Sequence, residues 1–445
     1  MKKIKCMRII CCLLAAALSF TVLSFGAAAQ SVQGDVNGDG NVNAMDIMLV
    51  RLYNAEYDVA MDTDLGDMNL DGKITSADIM AIRMMFAELY PAGAQENITA
   101  YALELFQNTC QTDENTVISP LSSLYALTML ANGADGQTLQ EMEAVLNGGE
   151  SIIGMNVYLQ DYLQKQTGDH LLLANGLQSR SAVKSSYLNT VSKAFDAQVF
   201  AADAPADEIN AWISQNTGGH VGEFVDDFAP DAMLRAFNAL SFNAKWDTPY
   251  FEQNINEDTF TNAKGETKTV DMMFQVERKY IQDDHAIGFL KYYEGEDYAL
   301  VALLPEEGMA LSDYVKTLTP GKLKDFSTLK DSDATCSGVM PKFSVDMAQN
   351  LQEPLESMGV KRAFSDGADF SKLTEENAFI SEMQHAASIT VDASGTTAGA
   401  ATSGVVSSDA AEAGAVVLNR PFVFVIMDVN EKIPLFMGTV NDCGE

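Results

Sequence analysis

The sequence predicts an α+β domain over residues 96–445, preceded by a small all-α module over residues 30–90. Three observations carry this prediction. Between residues 34 and 89 a short acidic loop followed by an apolar-periodic stretch occurs twice, in register. From residue 96 onward helical apolar spacing dominates early and short strand-like runs dominate late. Segregated helices and strands favour α+β over an alternating βαβ arrangement. Near the C-terminus, residues 393–408 hold no charge, in a chain of which 20% is charged.

The chain opens on a leader. Lys2, Lys3, Lys5 and Arg8 precede an almost wholly apolar stretch over residues 9–25, and Ala27, Ala28 and Ala29 supply small residues for cleavage. Residues 1–29 therefore read as a secretory signal peptide cut after Ala29, with a retained membrane anchor as the alternative. Removing its four basic residues lowers Lys+Arg from 28 to 24 against 62 acidic residues, so the remainder carries −38. Such a surface repels phosphates and excludes nucleic acid as a partner. No later stretch of sequence is long and apolar enough to span a bilayer, so no membrane contact is expected after signal cleavage. Beyond the leader only Cys110, Cys336 and Cys443 remain, widely spaced, which is neither a disulfide framework nor a metal pattern.

The repeat has a period of 32. Gly34, Asp35, Asn37, Asp39 and Gly40 recur as Gly66, Asp67, Asn69, Asp71 and Gly72; Asp46 recurs as Asp78 and Arg51 as Arg83. Loop positions 1, 3, 5, 9 and 12 carry oxygen: Asp35, Asn37, Asp39, Asn43 and Asp46, then Asp67, Asn69, Asp71, Thr75 and Asp78. Alternate residues of a bent loop can converge on one hard cation, which takes six to eight oxygens. Gly40 and Gly72 sit where the chain must bend, and Asn41 and Lys73 would add backbone carbonyls at position seven. Two Ca²⁺ ions are expected, one per loop, with ion binding and folding linked. The twelfth residue is Asp where the EF-hand has Glu, and no helix precedes the first loop.

This loop-helix pair, 34–57 and 66–89, resembles a dockerin type I module. The resemblance implies a cohesin domain on a scaffold protein as partner. In that family the tenth and eleventh loop residues help choose the cohesin; here they are Ala44 and Met45, then Ser76 and Ala77, flanked by Arg51 and Arg83. The two faces differ, which puts a fully symmetric dual binding mode in doubt. The implied setting is a cellulosome-like extracellular complex of an anaerobic bacterium.

Residues 91–95 form a short, small-residue joint. Beyond it, residues 98–106 and 121–130 have helical apolar spacing, while residues 298–304 and 422–427 suit buried strands. The chain holds no G-x-S-x-G, H-E-x-x-H, P-loop or G-x-G-x-x-G motif. His170, His220, His285 and His385 are scattered. Paired carboxylates of the glycosidase type cannot be singled out among 62 acidic residues. No enzymatic constellation emerges.

The uncharged run alone reads as a flexible linker of small residues. The surrounding motifs change that reading. Asn115, Ser119, Pro120 and Ser122; Ile209, Asn210, Trp212, Thr217 and Gly219; Phe237, Asn238 and Trp246; Pro341, Lys342 and Phe343; Asp369, Phe370, Ser371 and His385; Arg420, Pro421 and Phe422; Pro434, Phe436 and Gly438 follow one another in the order in which serpins carry them. The chain over 96–443 thus resembles a serpin. The resemblance implies three β-sheets, eight to nine helices and an exposed reactive-centre loop over about 393–418. It also implies a suicide inhibitor of serine proteases, not an enzyme. Its bait loop is cleaved, and the freed arm then inserts into the main sheet while the protease remains covalently attached.

In that reading Gly395, Thr396, Thr397, Ala398, Gly399, Ala400, Ala401 and Thr402 form the hinge. Inserting residues alternate between faces, and the inward set of Thr396, Ala398, Ala400, Thr402, Gly404, Val406 and Ser408 is small and uncharged. Family spacing from Gly395 puts the scissile bond at Asp409-Ala410; counting back from Pro421 gives Ala410-Ala411. Between Arg362 and Arg420 the only basic residue is Lys372, well before the hinge. A bait with no Lys or Arg points to a subtilisin- or elastase-like target, or else an acid-specific one. Ser119, Ser122, Asn238, Trp246 and His385 match the family's shutter and breach. Ala393 and Ser394 stand where inhibitory members commonly have two acidic residues. A serpin fold used only for binding is the other reading.

Overall fold

In the computed structural model the described residues are 33–38, 42, 44–55, 57, 59–68, 72–86, 89–166, 170–328, 334–396 and 411–443. The period-32 repeat reappears in three dimensions. Helix α1 (Ala44–Asn54) and helix α3 (Ser76–Phe86) are offset by one period, with a single-turn helix α2 (Thr63–Gly66) between them, its N-terminus capped by Asp62. Val50 and Ile82, again one period apart, are fully buried at the centre of this module.

Helix α4 (Leu89–Thr109) follows. The small-residue stretch 91–95, expected as a joint, lies inside it. Ala92, Ala94 and Gln95 are good helix formers, and Pro91 falls in the first turn, where a missing N–H costs no hydrogen bond.

Eight further helices complete the body: α5 (Pro120–Ala131), α6 (Gly136–Asn147), α7 (Ile152–Lys165), α8 (Ser185–Phe195), α9 (Ala206–Asn216), α10 (Leu311–Thr317), α11 (Pro320–Thr328) and α12 (Gln352–Met358). With α4 this gives nine helices among the described residues of the large domain, as expected. Every residue of α5 is buried; Ser119 caps it, accepting from the Ser122 amide, and Pro120 occupies its first position. No helix among the described residues is long and apolar enough to cross a membrane.

The strands form three sheets. A six-stranded sheet runs β1 (Thr116–Ile118), β17 (Ile433–Val440), β16 (Phe422–Asp428), β10 (Tyr298–Pro305), β9 (Ala286–Tyr292), β8 (Lys279–Gln282). A four-stranded sheet runs β15 (Ala411–Val417), β11 (Ala334–Pro341), β7 (Thr267–Glu277), β6 (Ile255–Thr261). The central sheet runs β3 (Gln198–Ala201), β2 (Leu171–Ser179), β4 (Leu234–Phe242), β13 (Ile380–Val391), β14 (Gly395–Thr396), β5 (Ala244–Lys245), with β12 (Phe343–Asn350) on β13. Strands β10 and β16, the apolar runs that the sequence marks as core strands, are buried at every position, and so is β17.

Candidate functional site

The feature that organises the large domain is one seam. Strands β4 and β13 run parallel and pair directly, Asn238 beside His385 and Ala239 beside Ala386, with no strand between them. Three polar staples cross or close this seam.

At one end Arg235 of β4 faces Glu382 of β13, a 3.7 Å ion pair in which the arginine is 1% exposed. The Nη1 that faces Glu382 also donates to the Asp226 carbonyl, and Nη2 donates to the Gln178 side chain.

In the middle lies the cluster that the sequence named. The side chain of Asn238 offers Oδ1 to Ser122 Oγ and, at 2.7 Å, to His385 Nδ1. His385 Nε2 accepts the Ser119 amide at 3.0 Å, and Ser119 Oγ donates to the Leu435 carbonyl at 2.9 Å. An amide oxygen accepts only, so Nδ1 carries the ring proton and Nε2 the lone pair. Full burial pushes the imidazole pKa down to about 3, which keeps this neutral tautomer in place. Ser119, Ser122, Asn238 and His385 therefore converge in one fully satisfied network linking α5, β4 and β13.

At the other end is the fifth named position, Trp246. It stacks on Tyr293 at 4.4 Å and donates Nε1–H to the Asp392 carbonyl. Here the chain leaves β13, turns, and re-enters the sheet as β14. Gly395 pairs with Lys245 and Thr396 with both Ala244 and Val391. Asp392 holds the turn: its Oδ1 accepts the Ser394 amide, the Ser394 hydroxyl and the Gly395 amide. Position 395 admits only glycine, because a Cβ there would lie 2.2 Å from the Ala244 carbonyl oxygen. Thr396 is 1% exposed, its hydroxyl 2.7 Å from that of Tyr293. Beneath them Lys291 and Glu277 form a 3.2 Å ion pair, both almost wholly buried, with Tyr250 donating to the same carboxylate and its ring 4.2 Å from the ammonium. Desolvation lowers the Lys291 pKa despite the carboxylate beside it.

The first two hinge residues are thus already seated in the sheet. Hinge residues Thr397, Ala398, Gly399, Ala400, Ala401 and Thr402 and the candidate bond Asp409-Ala410 lie outside the described residues. Ala411, from the alternative bond, is the first residue of β15 and pairs with Ala334. Tyr293, Asp392, Glu277, Lys291 and Tyr250 were not singled out from sequence. Only Asp392 left a local trace there, as an Asp before a small-residue turn; the others are joined by sheet pairing alone.

In the small module Asp46 Oδ1 accepts the Val36 amide at 3.0 Å, and one period later Asp78 Oδ1 accepts the Met68 amide at 2.8 Å. The twelfth residue of each loop thus folds back on the loop's start. Asp35, Asp46 and Asp78 are buried, and Gly38 and Gly72 adopt positive φ. Asp67 accepts the Gly72 amide, and Thr75 bonds Asp78. Buried hard-oxygen donors at a bent loop fit Ca²⁺. Asp39, Asn41, Asn43, Asn69 and Asp71 lie outside the described residues. Among the proposed cohesin contacts Arg51, Ser76 and Arg83 are exposed, Met45 and Ala77 half-buried. Met48 and Met80, one period apart on α1 and α3, are also exposed.

The comparisons match this geometry. Residues 96–443 match the family model of the serpins (serine protease inhibitors), and residues 33–86 that of the dockerin type I domain. The chain is a serpin that carries a dockerin type I module. Bovine leukocyte elastase inhibitor is 30% identical over 77% of this chain and 97% of its own length. Iripin-2 of Ixodes ricinus is 29% identical over 74% and 88%. The thermophilic serpin tengpin in its native state superposes with a TM-score of 0.74 at 35% identity, covering 78% of this serpin and 94% of tengpin. Its latent state gives 0.68 at 33% identity.

Proposed function

We propose that this serpin is a secreted suicide inhibitor of subtilisin- or elastase-like serine proteases, held on a cohesin-bearing, cellulosome-like scaffold through its Ca²⁺-loaded dockerin. The observation that carries the reading is the seating of Gly395 and Thr396 at the head of a closed β4–β13 seam. The hinge stands where an inserting strand must start, and its entry residue fits only as glycine.

The chemistry follows from the bait. A protease serine attacks the carbonyl of Asp409 and forms an acyl-enzyme, and the Asp409-Ala410 bond breaks with Ala410 leaving as the new amine. Ala411 is already paired into β15, so presenting Ala410-Ala411 to a protease would require pulling a sheet residue free; this favours the first bond. The freed arm then extends β14 down the seam, separating β4 from β13. Some fifteen residues gaining about 0.5–1.5 kcal/mol per hydrogen bond yield on the order of 10–20 kcal/mol, ample against the roughly 10⁴-fold loss from a displaced catalytic triad. The uninserted state is then held by a kinetic barrier, and the three staples of the seam supply part of it. Ca²⁺, when bound, supplies the charge that lets the loop carboxylates approach one another; Asp35, Asp46, Asp67 and Asp78, with Asn37 and Thr75, would hold it.

Incubation of the full chain, with Ca²⁺, with a subtilisin-type protease tests this on a denaturing gel with mass analysis of the released peptide. A denaturation-resistant complex and a peptide beginning at Ala410 are expected. Cleavage without any complex, across elastase- and acid-specific proteases as well, would leave a serpin fold that serves binding alone.

A further inference from the structure

The two repeats of the dockerin present two equivalent outward faces, and only one of them stands clear of the serpin body. On α1, Met45, Met48, Leu49 and Leu52 recur at i, i+3, i+4 and i+7, so they share a stripe. At about 100° per residue that stripe lies opposite Ile47 and Val50, which are buried in the module. Its members are half-buried or exposed, Met48 at 42%, and the exposed Arg51 stands at the edge. A helix apolar on opposite faces is ordinarily covered on both.

The equivalent stripe of α3 faces the chain's own body. One period on, Ala77, Met80 and Ala81 stand where Met45, Met48 and Leu49 do. Helix α3 packs against α4 and α7, and Ala81 is 2% exposed where Leu49 is half-buried. Ala77 and Met80 line one side of a cleft of about 530 Å³; Gly93, Ala94 and Asn97 of α4 and Ile153 of α7 line the other. Within it Asn97 donates to Asn147 at 2.8 Å. Only two residues separate α3 from α4, a reach of at most about 7 Å, so the body has little room to swing away. Helix α3 is thus sandwiched between α1 and the body, and the stripe of α1 points away from both. A helix of this length outlines only ~16 Å by ~10 Å, against the about 800 Å² that each partner gives to a stable interface. A partner must therefore spread beyond the helix that it grips; around α3 it meets the body, and around the stripe of α1 it does not.

We propose that the cohesin seats on α1, over Met45, Met48, Leu49 and Leu52, in a single orientation, because the serpin body stands where the reversed orientation would place it. The proposal rests on the anchoring reading above; it adds which repeat binds and what excludes the other. Charge identifies the occupant. Two copies of this chain, each at −34, repel across a shared face. A cohesin with carboxylates around an apolar patch complements Arg51 instead. With one orientation, the bait always faces the same way relative to the scaffold.

The test uses the full chain with Ca²⁺ and a panel of immobilised type I cohesins. The double variant Met48→Glu/Leu52→Glu should bind the cohesin that captures the wild type at least about tenfold more weakly, because it puts two carboxylates at the centre of the interface. Met80→Glu should stay within about threefold of the wild type, as a residue outside the contact does, and Met48→Leu should retain most of the affinity. Helical circular dichroism with Ca²⁺ should match throughout, because these side chains point outward. Should the charged double variant lose that signal, Met48→Ser/Leu52→Ser is read in its place. Equal affinity of wild type and double variant, or an equal or larger loss for Met80→Glu, overturns the proposal and leaves the anchoring reading intact. So does sedimentation showing a wild-type dimer that the double variant abolishes, since the occupant is then a second copy. Capture of the wild type by none of the cohesins overturns the anchoring reading, and this inference with it.

Discussion

His385 is the residue whose chemistry the fold changes most. Unfolded, its imidazole titrates near pH 6.5; folded, burial drives it down to about 3. Between those values the unfolded chain binds the proton first, so the contribution is complete above pH 6.5 and is lost as pH falls toward 3. From pH 6.5 to 4.5 this one residue should remove about 2 kcal/mol of unfolding free energy, and urea titrations of His385→Gln should show that much less decline. Its partner Asn238 bridges the strands that insertion must part. Asn238→Ala leaves the Ser122 hydroxyl and the imidazole buried without their acceptor, at a cost of about 2–4 kcal/mol. Lower thermal midpoints are expected, and inhibitory activity should decay faster on incubation as the unstapled seam opens without cleavage. The types of these residues were legible in the sequence. Their roles were not, because a histidine alone does not announce whether it faces solvent or an asparagine on the neighbouring strand.

On the scale of elements the turn from β13 into β14 is where the proposed hinge enters the sheet. The two acidic residues common in inhibitory relatives are replaced by Ala393 and Ser394, and Asp392 organises the turn in their place. Thr396→Arg forces a guanidinium against Tyr293 at a site with 1% exposure; burying that charge costs several kcal/mol. Insertion should stall, and the protein should be cleaved as a substrate, read as a several-fold rise in the inhibitor needed to silence one equivalent of protease. Below the turn, Lys291→Met leaves Glu277 uncompensated beside Tyr250, a loss of about 3–5 kcal/mol in denaturant unfolding. The double variant with Glu277→Leu should recover most of it. Helix α4 shows a limit of local reading: the small residues 91–95 look like a joint in isolation but continue a helix whose far end is anchored by Ile98, Tyr101 and Leu105 in the core.

Across the whole molecule two units of different origin of stability share one chain. The serpin body buries three sheets, whereas the dockerin buries little beyond Val36, Val50, Met68 and Ile82. Chelation of Ca²⁺ should therefore melt α1 and α3, seen as lost helical circular dichroism and protease sensitivity before residue 89, while the thermal midpoint of the body stays where it was. Loss of both transitions together would mean that the body depends on the module.

The sequence by itself determined the α+β class, both modules, the period of the repeated loops and the types of residue that meet at Ser119, Ser122, Asn238 and His385. All of these are recorded in spacing, composition or ordered motif, which survive without coordinates. The tertiary structure alone decided that β4 and β13 are paired, that Thr396 meets Tyr293, that Lys291 meets Glu277, and that Phe274 and Val276 share a face with Val339 and Val417. Those contacts join residues from 14 to 147 positions apart through sheet register, and register is fixed only when each strand buries its apolar face against the rest of the fold.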